Sequence, residues 1–432
     1  MKIGLEIHVA LPTKSKLFCK CRTYAIEPNT SICPTCAGLP GAKPVLNKKA
    51  LETSLSIAKA LNCKISDKTS FVRKIYFYPD LPKSFQITQK DLPVGENGSI
   101  SINNKNIRIR RVQLEEDPAK IIREDNYTLI DYNRSGQPLV EIVTEPDISS
   151  EEELRLFINE LRSILYYLDV DINQEMKADL NISLSESRVE IKNVTGLKNL
   201  TDAMHYEIER QENLIKNNQE IIKETRSFSE AKQITISARE KESDEEYGFI
   251  FDSDLTVYTT KDLATQKATY ASKIAKEYSE KYKIKESQIS DLILFNKDAL
   301  ALLQEFENKY ELKFILNAIT SMQRYAKKRV TSKELEKAIL ILQSGAYLDS
   351  KIVSEIESGK DININQSKVN IDEINTEIRS LIEDNKNLLK EYKKNKKILN
   401  FIIGKVSKKF NANPKLVSEQ LEKILSEDFK VQ

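Results

Sequence analysis

Gly4-Leu5-Glu6-Ile7-His8-Val9 is the stretch of sequence that decides the fold. Its apolar and polar residues alternate, and successive side chains of an extended chain point to opposite faces, so Glu6 and His8 share one face of a strand. A carboxylate beside an imidazole supplies metal ligands if further carboxylates approach from other strands. An ordinary sheet with one polar face shows the same alternation, so the remaining strands must decide between the two interpretations.

Four further stretches repeat this pattern and bring more acids to the polar face. They are Ile107–Glu116, Leu139–Glu145, Asp179–Leu184 and Val189–Lys192, and a hairpin turn at Ser185–Arg188 joins the last two. A solvated sheet face normally mixes Thr, Lys, Arg and Glu, whereas here acids recur on nearly every strand. Such carboxylates suit Mg²⁺, which shares its coordination shell with water and phosphates. The pattern therefore indicates nucleotide-dependent phosphoryl transfer.

Bulk composition limits the class of protein. The chain has 432 residues, a length for which two or three domains are expected. Lys+Arg 67 against Asp+Glu 65 give a net charge of +2, so bulk charge predicts no polyanion partner, although a local patch can still bind one. No apolar run approaches the ~20 residues needed to span a bilayer, and no signal peptide is visible before the first strand. We expect a cytoplasmic protein without a membrane partner.

The distribution of proline divides the chain into two parts. Eleven of the 12 prolines lie at or before Pro146, as expected of a strand-rich fold with many turns, and from about Lys261 the spacing of Ile and Leu is helical. We therefore predict an α+β fold with its main boundary near 258–262. Neither Gly-x-x-x-x-Gly-Lys-Ser/Thr nor Gly-x-Gly-x-x-Gly occurs, which argues against a P-loop or Rossmann site.

Four of the five cysteines are crowded between positions 19 and 36. Cys19-Lys20-Cys21 and Cys33-Pro34-Thr35-Cys36 are separated by eleven residues, and four thiolates at this spacing suit tetrahedral zinc. A complete set of four protein ligands makes such a zinc ion structural. The alternative is a set of small buried residues beneath a loop.

In the segment from Arg73 to Ile87, two cations precede three aromatic residues, and a lysine follows in a turn between prolines. Lys74, Tyr78 and Lys83 lie there, and aromatic rings beside cations can stack on a base or ribose and bind phosphate. Packing of an aromatic strand with a solvated basic edge is the alternative, and composition alone favours it slightly.

Two helices are predicted to begin with a capping box, Ser150-Glu151-Glu152-Glu153 for a helix to about residue 168, and Thr331-Ser332-Lys333-Glu334 for a later one. A further helix is predicted from about Asp202 to Lys216. Its His205 lies among charged residues, so we interpret it as structural or solvated rather than as a ligand.

Several long motifs, in this order, resemble the B subunit of the aspartyl/glutamyl-tRNA amidotransferase, in the GatB/GatE family. The motifs are Gly4-Leu5-Glu6-Ile7-His8-Val9, Cys-Pro-x-Cys-x-Gly-Leu-Pro-Gly at 33–41, Tyr76-Phe77-Tyr78-Pro79-Asp80-Leu81-Pro82-Lys83, Asp91-Leu92-Pro93-Val94-Gly95-Glu96-Asn97-Gly98, Leu114-Glu115-Glu116-Asp117, Asp131-Tyr132-Asn133-Arg134-Ser135-Gly136 and Glu141-Ile142-Val143-Thr144-Glu145-Pro146-Asp147. Near the carboxyl end, Phe401-Ile402-Ile403-Gly404-Lys405-Val406 and Asn411-Ala412-Asn413-Pro414 are similar to the family's small YqeY-like helical tail.

The resemblance implies three domains and a reaction. A cradle domain with an antiparallel sheet like that of glutamine synthetase is expected over 1–260, with the cysteine knuckle inserted at 19–36, then a helical domain over 261–365 and a YqeY-like tail over 366–432. ATP is expected to phosphorylate the side chain of Glu on tRNA(Gln) or Asp on tRNA(Asn). Ammonia from the amidase partner, the family's A subunit, then forms the amide, and a small C subunit completes the expected heterotrimer.

The matching motifs also imply the site residues. The expected catalytic residues, which would also bind one or two Mg²⁺ ions, are Glu6, His8, Glu116, Glu141 and Asp179. The residues expected to bind ATP, or to lie behind the metal ligands, are Lys74, Tyr78, Lys83, Glu115, Glu145 and Glu190. Zn²⁺ is expected at Cys19, Cys21, Cys33 and Cys36.

Two departures from the family pattern leave a second function open. Lys177 stands where the family usually has arginine, and Glu246–Asp254 has lost an arginine and both prolines of the corresponding family segment. A non-catalytic, zinc-containing tRNA-binding adaptor with a merely solvated acidic sheet is the alternative. In either case we expect the lysine-rich stretch Lys390–Lys397 to contact the tRNA backbone.

Overall fold

The computed structural model describes residues 1–170, 176–240, 248–346, 348–360, 371–384, 396–410 and 414–428. The chain divides into two compact units, Met1–Ala271 and Ser272–Gln432. The first unit extends past the predicted boundary near 258–262, since Leu263, Ala268 and Tyr270 pack against its core. The predicted junction at 365/366 lies outside the described residues. Among the described helices, none has the length and apolar character that a bilayer crossing requires.

The first unit mixes strands and helices, as predicted. In chain order its strands are β1 (Lys2–Ala10), β2 (Lys68–Thr69), β3 (Val72–Ile75), β4 (Phe85–Thr88), β5 (Gly95–Ile102), β6 (Lys105–Glu116), β7 (Lys120–Arg123), β8 (Thr128–Asp131), β9 (Pro138–Thr144), β10 (Lys177–Ser183), β11 (Val189–Thr195), β12 (Glu224–Ser229), β13 (Ile234–Glu240), β14 (Gly248–Ile250) and β15 (Tyr258–Thr259). Its helices are α1 (Pro34–Ala37), α2 (Lys48–Ala60), α3 (Glu151–Tyr167) and α4 (Leu197–Lys216).

An eight-stranded sheet organises this unit, in the order β13-β12-β11-β10-β1-β9-β6-β5. Neighbouring strands are antiparallel except β11 and β12, which are parallel and are connected through α4. The predicted antiparallel sheet is therefore confirmed in its main part, whereas its likeness to glutamine synthetase stays a prediction. Three small sheets accompany it, with the orders β14-β3-β4, β15-β2 and β7-β8.

The apolar face of β1 lies at the centre of the core. Ile3, Leu5 and Ile7 are buried, as the alternation predicts. Helix α2 packs against β5 and β6, α3 packs against β5, and α4 packs against β10, β11 and β13, so the helices cover this face. The opposite, polar face of the sheet carries the acids of the sequence motifs.

Helix starts follow local capping chemistry, with two corrections to the sequence predictions. Ser150 accepts a hydrogen bond from Glu153 N, but the Glu153 carboxylate accepts from Ser149 N, so only one bond of the predicted capping box forms. The box at Thr331 is complete. Helix α4 begins at Leu197 directly after Gly196, whose positive φ of 83° turns the chain out of β11, so the predicted start near Asp202 is too late.

The described residues of the second unit are helical, as predicted. Its helices are α5 (Ala271–Tyr282), α6 (Ser287–Ile293), α7 (Lys297–Phe306), α8 (Leu312–Tyr325), α9 (Ser332–Gln343), α10 (Ser350–Glu357), α11 (Ile371–Asp384), α12 (Lys396–Phe410) and α13 (Pro414–Asp428). The last three share a core cluster that includes Ile378, Ile402 and Leu421, and their likeness to a YqeY-like tail stays a prediction. The lysine-rich stretch Lys390–Lys397 falls outside the residues whose side chains are described.

A fully buried carboxylate ties α4 to the edge of the main sheet. Glu207 Oε1 accepts hydrogen bonds from Arg210 Nη2 at 2.7 Å and Gln211 Nε2 at 2.8 Å. Glu207 Oε2 accepts from Thr235 Oγ1 at 3.0 Å, and Arg226 Nε lies 3.5 Å away. One side chain thus joins the helix to β12 and β13.

Glu207→Ala should lower the free energy of unfolding of the first unit by about 3–5 kcal/mol, because two arginines lose their buried partner. Urea unfolding would measure the change. Glu209→Ala, at an exposed position of the same helix, is the control and should change stability by less than about 0.5 kcal/mol. Equal stability of the two variants would contradict the assigned role.

Candidate active site

Side chains of four adjacent strands meet on the polar face of the main sheet. In one row, His8 of β1 lies opposite Glu141 of β9, which lies opposite Gln113 of β6. In the next row, Glu6 of β1 lies opposite Asp179 of β10. The structure therefore brings four of the predicted catalytic residues to one surface.

Glu6, His8 and Glu141 form the tightest group on this surface. One potential ligand atom from each lies within 4.8 Å of the others. His8 Nε2 is 3.4 Å from Glu141 Oε2 and 3.7 Å from Glu115 Oε1. Three carboxylates and one imidazole thus crowd together, and the carboxyl groups of Glu115 and Glu141 are buried.

This crowding shifts the pKa of each member of the tightest group. Burial and the charges of Glu6 and Glu115 raise the pKa of Glu141 to about 7. Burial opposes the charged form of His8, but its hydrogen bond to Glu141 and the nearby carboxylates raise its pKa to about 10. For Glu6 the effect of burial is outweighed by the charges of Lys192 and His8, so its pKa is lowered. Like charges thus raise the pKa of Glu141, whereas opposite charges raise the pKa of His8 and lower that of Glu6.

Two buried oxygens in this region have no hydrogen-bond donor within the described structure, Glu141 Oε1 and Gln113 Oε1. Arg111 Nη2 lies 3.8 Å from Glu141 Oε1, which is too far for a hydrogen bond. An unpaired buried acceptor costs about 1–3 kcal/mol, and a bound cation would remove that cost. Since Mg²⁺ prefers oxygen ligands, the carboxylates of Glu6 and Glu141 fit the predicted ion. His8 is equally close, and it would lose its proton if it bound the metal.

Asp179 and Glu190 share one lysine. Lys192 Nζ lies 2.7 Å from Asp179 Oδ2 and 3.3 Å from Glu190 Oε1. Asp179 Oδ1 also accepts a hydrogen bond from Asn193 N at 2.7 Å. The predicted juxtaposition of Asp179 and Glu190 is therefore observed, and one lysine already offsets part of their combined charge. Lys177, at the position of the family's arginine, lies opposite His8.

Glu115 and Glu116 diverge at the end of β6. Glu115 lies near His8 and accepts a hydrogen bond from Thr88 Oγ1 at 2.9 Å. Glu116 Oε2 instead accepts from Lys83 Nζ at 2.5 Å and from Ile87 N at 3.1 Å. In the structure, Glu116 belongs to an ion pair beside the Glu6–His8–Glu141 group rather than to that group.

Two of the residues assigned to ATP, Lys74 and Tyr78, lie outside the strands of the main sheet. The positive charge of Lys74, on β3, makes a small contribution to the lowered pKa of Glu6. Lys74 therefore interacts electrostatically with that carboxylate. The Tyr78 hydroxyl accepts a long hydrogen bond, 3.4 Å, from Arg123 Nη2.

Glu145 has a different environment. It follows the last residue of β9, and Arg110 binds both of its oxygens at 2.9 and 3.0 Å. The hydrogen bond from Arg110 lowers the pKa of Glu145. This carboxylate is paired away from the Glu6–His8–Glu141 group.

The segment that departs from the family pattern still contacts the sheet that carries Lys74. Residues 246–247 lie outside the described range, whereas Gly248–Ile250 forms β14 and pairs with β3. Arg73 of β3 binds Asp254 through two hydrogen bonds of 2.9 and 2.7 Å, and it also contacts Asp252. The substituted segment therefore holds β3 in place.

The four predicted zinc ligands form one cluster. Their sulfur atoms all lie within 4.8 Å of one another. Cys36 Sγ is 3.8 Å from Cys33 Sγ and 4.0 Å from Cys21 Sγ. A tetrahedron with Zn–S bonds of about 2.3 Å has edges of about 3.8 Å, so the sulfur positions fit zinc.

Two features of the cysteine cluster favour a thiolate at Cys36, a hydrogen bond from another cysteine and a buried lysine. A hydrogen bond from Cys19 lowers the pKa of Cys36 to about 4, against the effect of burial. Lys16 is completely buried, with Nζ 3.8 Å from Cys36 Sγ and 3.1 Å from Tyr132 O. A zinc ion with four thiolates has a net charge of about −2, and Lys16 offsets part of it.

Sequence reasoning missed three residues of these sites, namely Gln113, Lys192 and Lys16. Gln113 precedes Glu115 by two positions and so shares its face, which is a signal that alternation contains. Alternation also predicts Lys192 on the polar face, but it assigns that lysine no role. Lys16 has no periodic signal, because nothing local indicates that a lysine in a loop is buried.

The purified protein should contain about one zinc ion per chain, and Cys21→Ser should lose the metal and lower the melting temperature. Elemental analysis of reduced protein, together with thermal unfolding, checks both effects. Cys63→Ser is the control, since Cys63 is a buried cysteine outside the cluster and its loss should leave the zinc content unchanged. Reduced wild-type protein without zinc would contradict the prediction.

Comparison with known proteins shows the family to which the chain belongs. The family model of the GatB/GatE catalytic domain matches residues 1–266. Several relatives are named as the B subunit of aspartyl/glutamyl-tRNA(Asn/Gln) amidotransferase. That of Sulfolobus acidocaldarius is 37% identical over 474 aligned positions, covering 98% of this chain and 99% of the relative. That of Saccharolobus solfataricus is 38% identical over 469 positions, with coverage of 98% and 99%, and that of Persephonella marina is 34% identical over 469 positions, with 98% of each covered. Because the likeness spans nearly the whole chain, the protein belongs to the GatB/GatE family, among the B subunits of tRNA-dependent amidotransferases.

Proposed function

We propose that this chain is the kinase and transamidase component of a multi-subunit aminoacyl-tRNA amidotransferase. In the proposed reaction, the γ-phosphoryl group of ATP moves to the side-chain carboxylate of Glu on tRNA(Gln) or Asp on tRNA(Asn), and ADP leaves. Ammonia from the amidase A subunit, assembled with a small C subunit, attacks the carbonyl carbon of the acyl phosphate. Phosphate then leaves, a proton is lost to solvent, and the side-chain amide remains.

The buried acidic group on the sheet carries this proposal. An adaptor with a merely solvated acidic face has no need to withdraw its carboxylates from water. Here Glu115, Glu141 and Asp179 are 5%, 6% and 3% exposed, and Glu141 retains a buried oxygen without a donor in the described structure. Burying acids at this density is unfavourable unless a cation joins them, which supports a metal-dependent enzyme over the adaptor.

The chain's own residues have distinct tasks in this proposal. Mg²⁺ held by Glu6, His8 and Glu141 would neutralise phosphate oxygens and orient them. Lys192 and Lys83 keep fixed positive charges at two sides of the acids, where each already pairs with a carboxylate. Such cations can also attract the phosphate groups of ATP. The low exposure of the sheet face limits access of water that would hydrolyse the acyl phosphate.

Glu141→Gln should reduce amide formation by at least about 100-fold, because it removes one charge from the proposed Mg²⁺ site while keeping the shape of the side chain. The assay uses the assembled complex with ATP, glutamine and Glu-tRNA(Gln) or Asp-tRNA(Asn). The glutaminase activity of the partner and the binding of tRNA should remain measurable.

Glu160→Gln is the matched control for this test. Glu160 of α3 is 7% exposed, close to the 6% of Glu141, but it lies on a helix away from the polar face. It should retain nearly normal amide formation. A Glu141→Gln protein that forms amide at the normal rate would refute the proposed role of the acidic group.

Deletion of residues 369–432 should weaken tRNA binding and flatten its dependence on salt, because the lysine-rich stretch is proposed to contact the tRNA backbone. Filter binding at several salt concentrations measures both effects, while ATP and Mg²⁺ binding should be retained. Unchanged tRNA affinity in the truncated protein would show that the tail is not a tRNA contact.

A further inference from the structure

The four-cysteine cluster lies directly against the ion pair between Lys83 and Glu116. Gly38 ends α1 two positions after Cys36 and has a positive φ of 72°. A methyl group built on Gly38 would lie 2.6 Å from Lys83 Cγ and 3.0 Å from Lys83 Cα. The backbone that leaves the cysteine cluster is therefore packed on Lys83 so closely that no side chain fits between them.

The other half of the ion pair contacts a second loop beside the same cluster. A methyl group built on Gly136 would lie 3.4 Å from Glu116 Oε1 and 3.9 Å from Cys36 Cβ. It would also lie 3.6 Å from Lys16 Cδ, and Leu17 N donates a hydrogen bond to Gly136 O at 2.8 Å. Lys83 and Glu116 are thus packed against the backbone of Gly38 and Gly136, and both glycines lie next to the cysteine cluster.

We propose that the four-cysteine cluster positions the Lys83–Glu116 ion pair through Gly38 and Gly136. Removal of the metal leaves protonated thiols at Cys19 and Cys21 and no coordinate bonds between Cys19-Lys20-Cys21 and the turn at 33–38, so that turn loses the constraint that fixes its conformation. Because Lys83 has no free space beside Gly38, a change in that turn displaces the lysine. The cluster therefore acts on the site in addition to stabilising its own loop, and only its catalytic consequence rests on the proposed function.

The rate at which the Lys83 amine reacts with a reagent measures this coupling, and the measurement does not depend on catalytic activity. The side chain of Lys83 is 6% exposed and is held by Glu116, so it should react slowly with acetic anhydride in zinc-loaded, full-length protein. Peptide mass spectrometry measures its acetylation relative to the exposed Lys333. Removal of zinc by a chelator under reducing conditions should accelerate acetylation of Lys83 roughly tenfold, with Lys333 unchanged.

Gly38→Ala tests the same contact with all four cysteines in place. It should retain zinc and accelerate acetylation of Lys83, because the added methyl group displaces the lysine. Gly41→Ala is the matched control: Gly41 also has a positive φ, 81°, but nothing in the described structure lies within 4 Å of a methyl group built there. It introduces similar backbone strain without the contact, so its acetylation of Lys83 should match that of wild type.

Two results would overturn the proposal, namely unchanged acetylation of Lys83 after zinc removal, or equal acceleration in the Gly38 and Gly41 variants.

A measurement of amide formation by the complex then distinguishes this coupling from the proposed enzymatic function. If Gly38→Ala exposes Lys83 and also lowers the turnover number, both stand. If it exposes Lys83 while turnover stays normal, the coupling stands and the use of this ion pair in the reaction is refuted.

Discussion

The pairing of β1 between β9 and β10 is the constraint on which the first unit depends. Its register sets Glu6 against Asp179 and His8 against Glu141, while Leu5 and Ile7 face the core. A slip of one residue would move the acids into the core and the apolar side chains to the polar face. Burying unpaired charge costs several kcal/mol per ion, so only one register is compatible with the fold, and that register also assembles the site.

Distribution of charge across the sheet explains why one part of the polar face is suited to a metal and the flanking parts are not. Lys192 pairs with both Asp179 and Glu190 on one side, and Lys83 pairs with Glu116 on the other. Between these ion pairs, Glu6, His8 and Glu141 each place a potential ligand atom within 4.8 Å of the others. At this centre three carboxylates, those of Glu6, Glu115 and Glu141, share a single imidazole, so a divalent cation is attracted there.

Much of this arrangement could be predicted from the sequence, because the face to which a side chain points is a local property of a strand. Alternation predicted that Glu6, His8, Glu141 and Asp179 each lie on the polar face of a strand, and the family motifs implied that they converge. It could not identify the cation that each acid meets, since Lys83 comes from a loop 33 residues before Glu116. Strand ends are equally hard to predict: Glu145 continues the alternation, yet β9 stops at Thr144 and Glu145 turns to Arg110.

The position of β1 in the sheet has a consequence for synthesis of the chain. This strand leaves the ribosome well before its neighbours, because β9 and β10 begin only at Pro138 and Lys177. At about 5–20 residues per second, both edges of β1 wait roughly 6–35 s for their partners. An unpaired strand with apolar alternation invites pairing with other nascent chains, and charged side chains reduce that tendency. The charge of Glu6 therefore lowers the tendency of the nascent strand to aggregate before the site in which this residue later takes part exists.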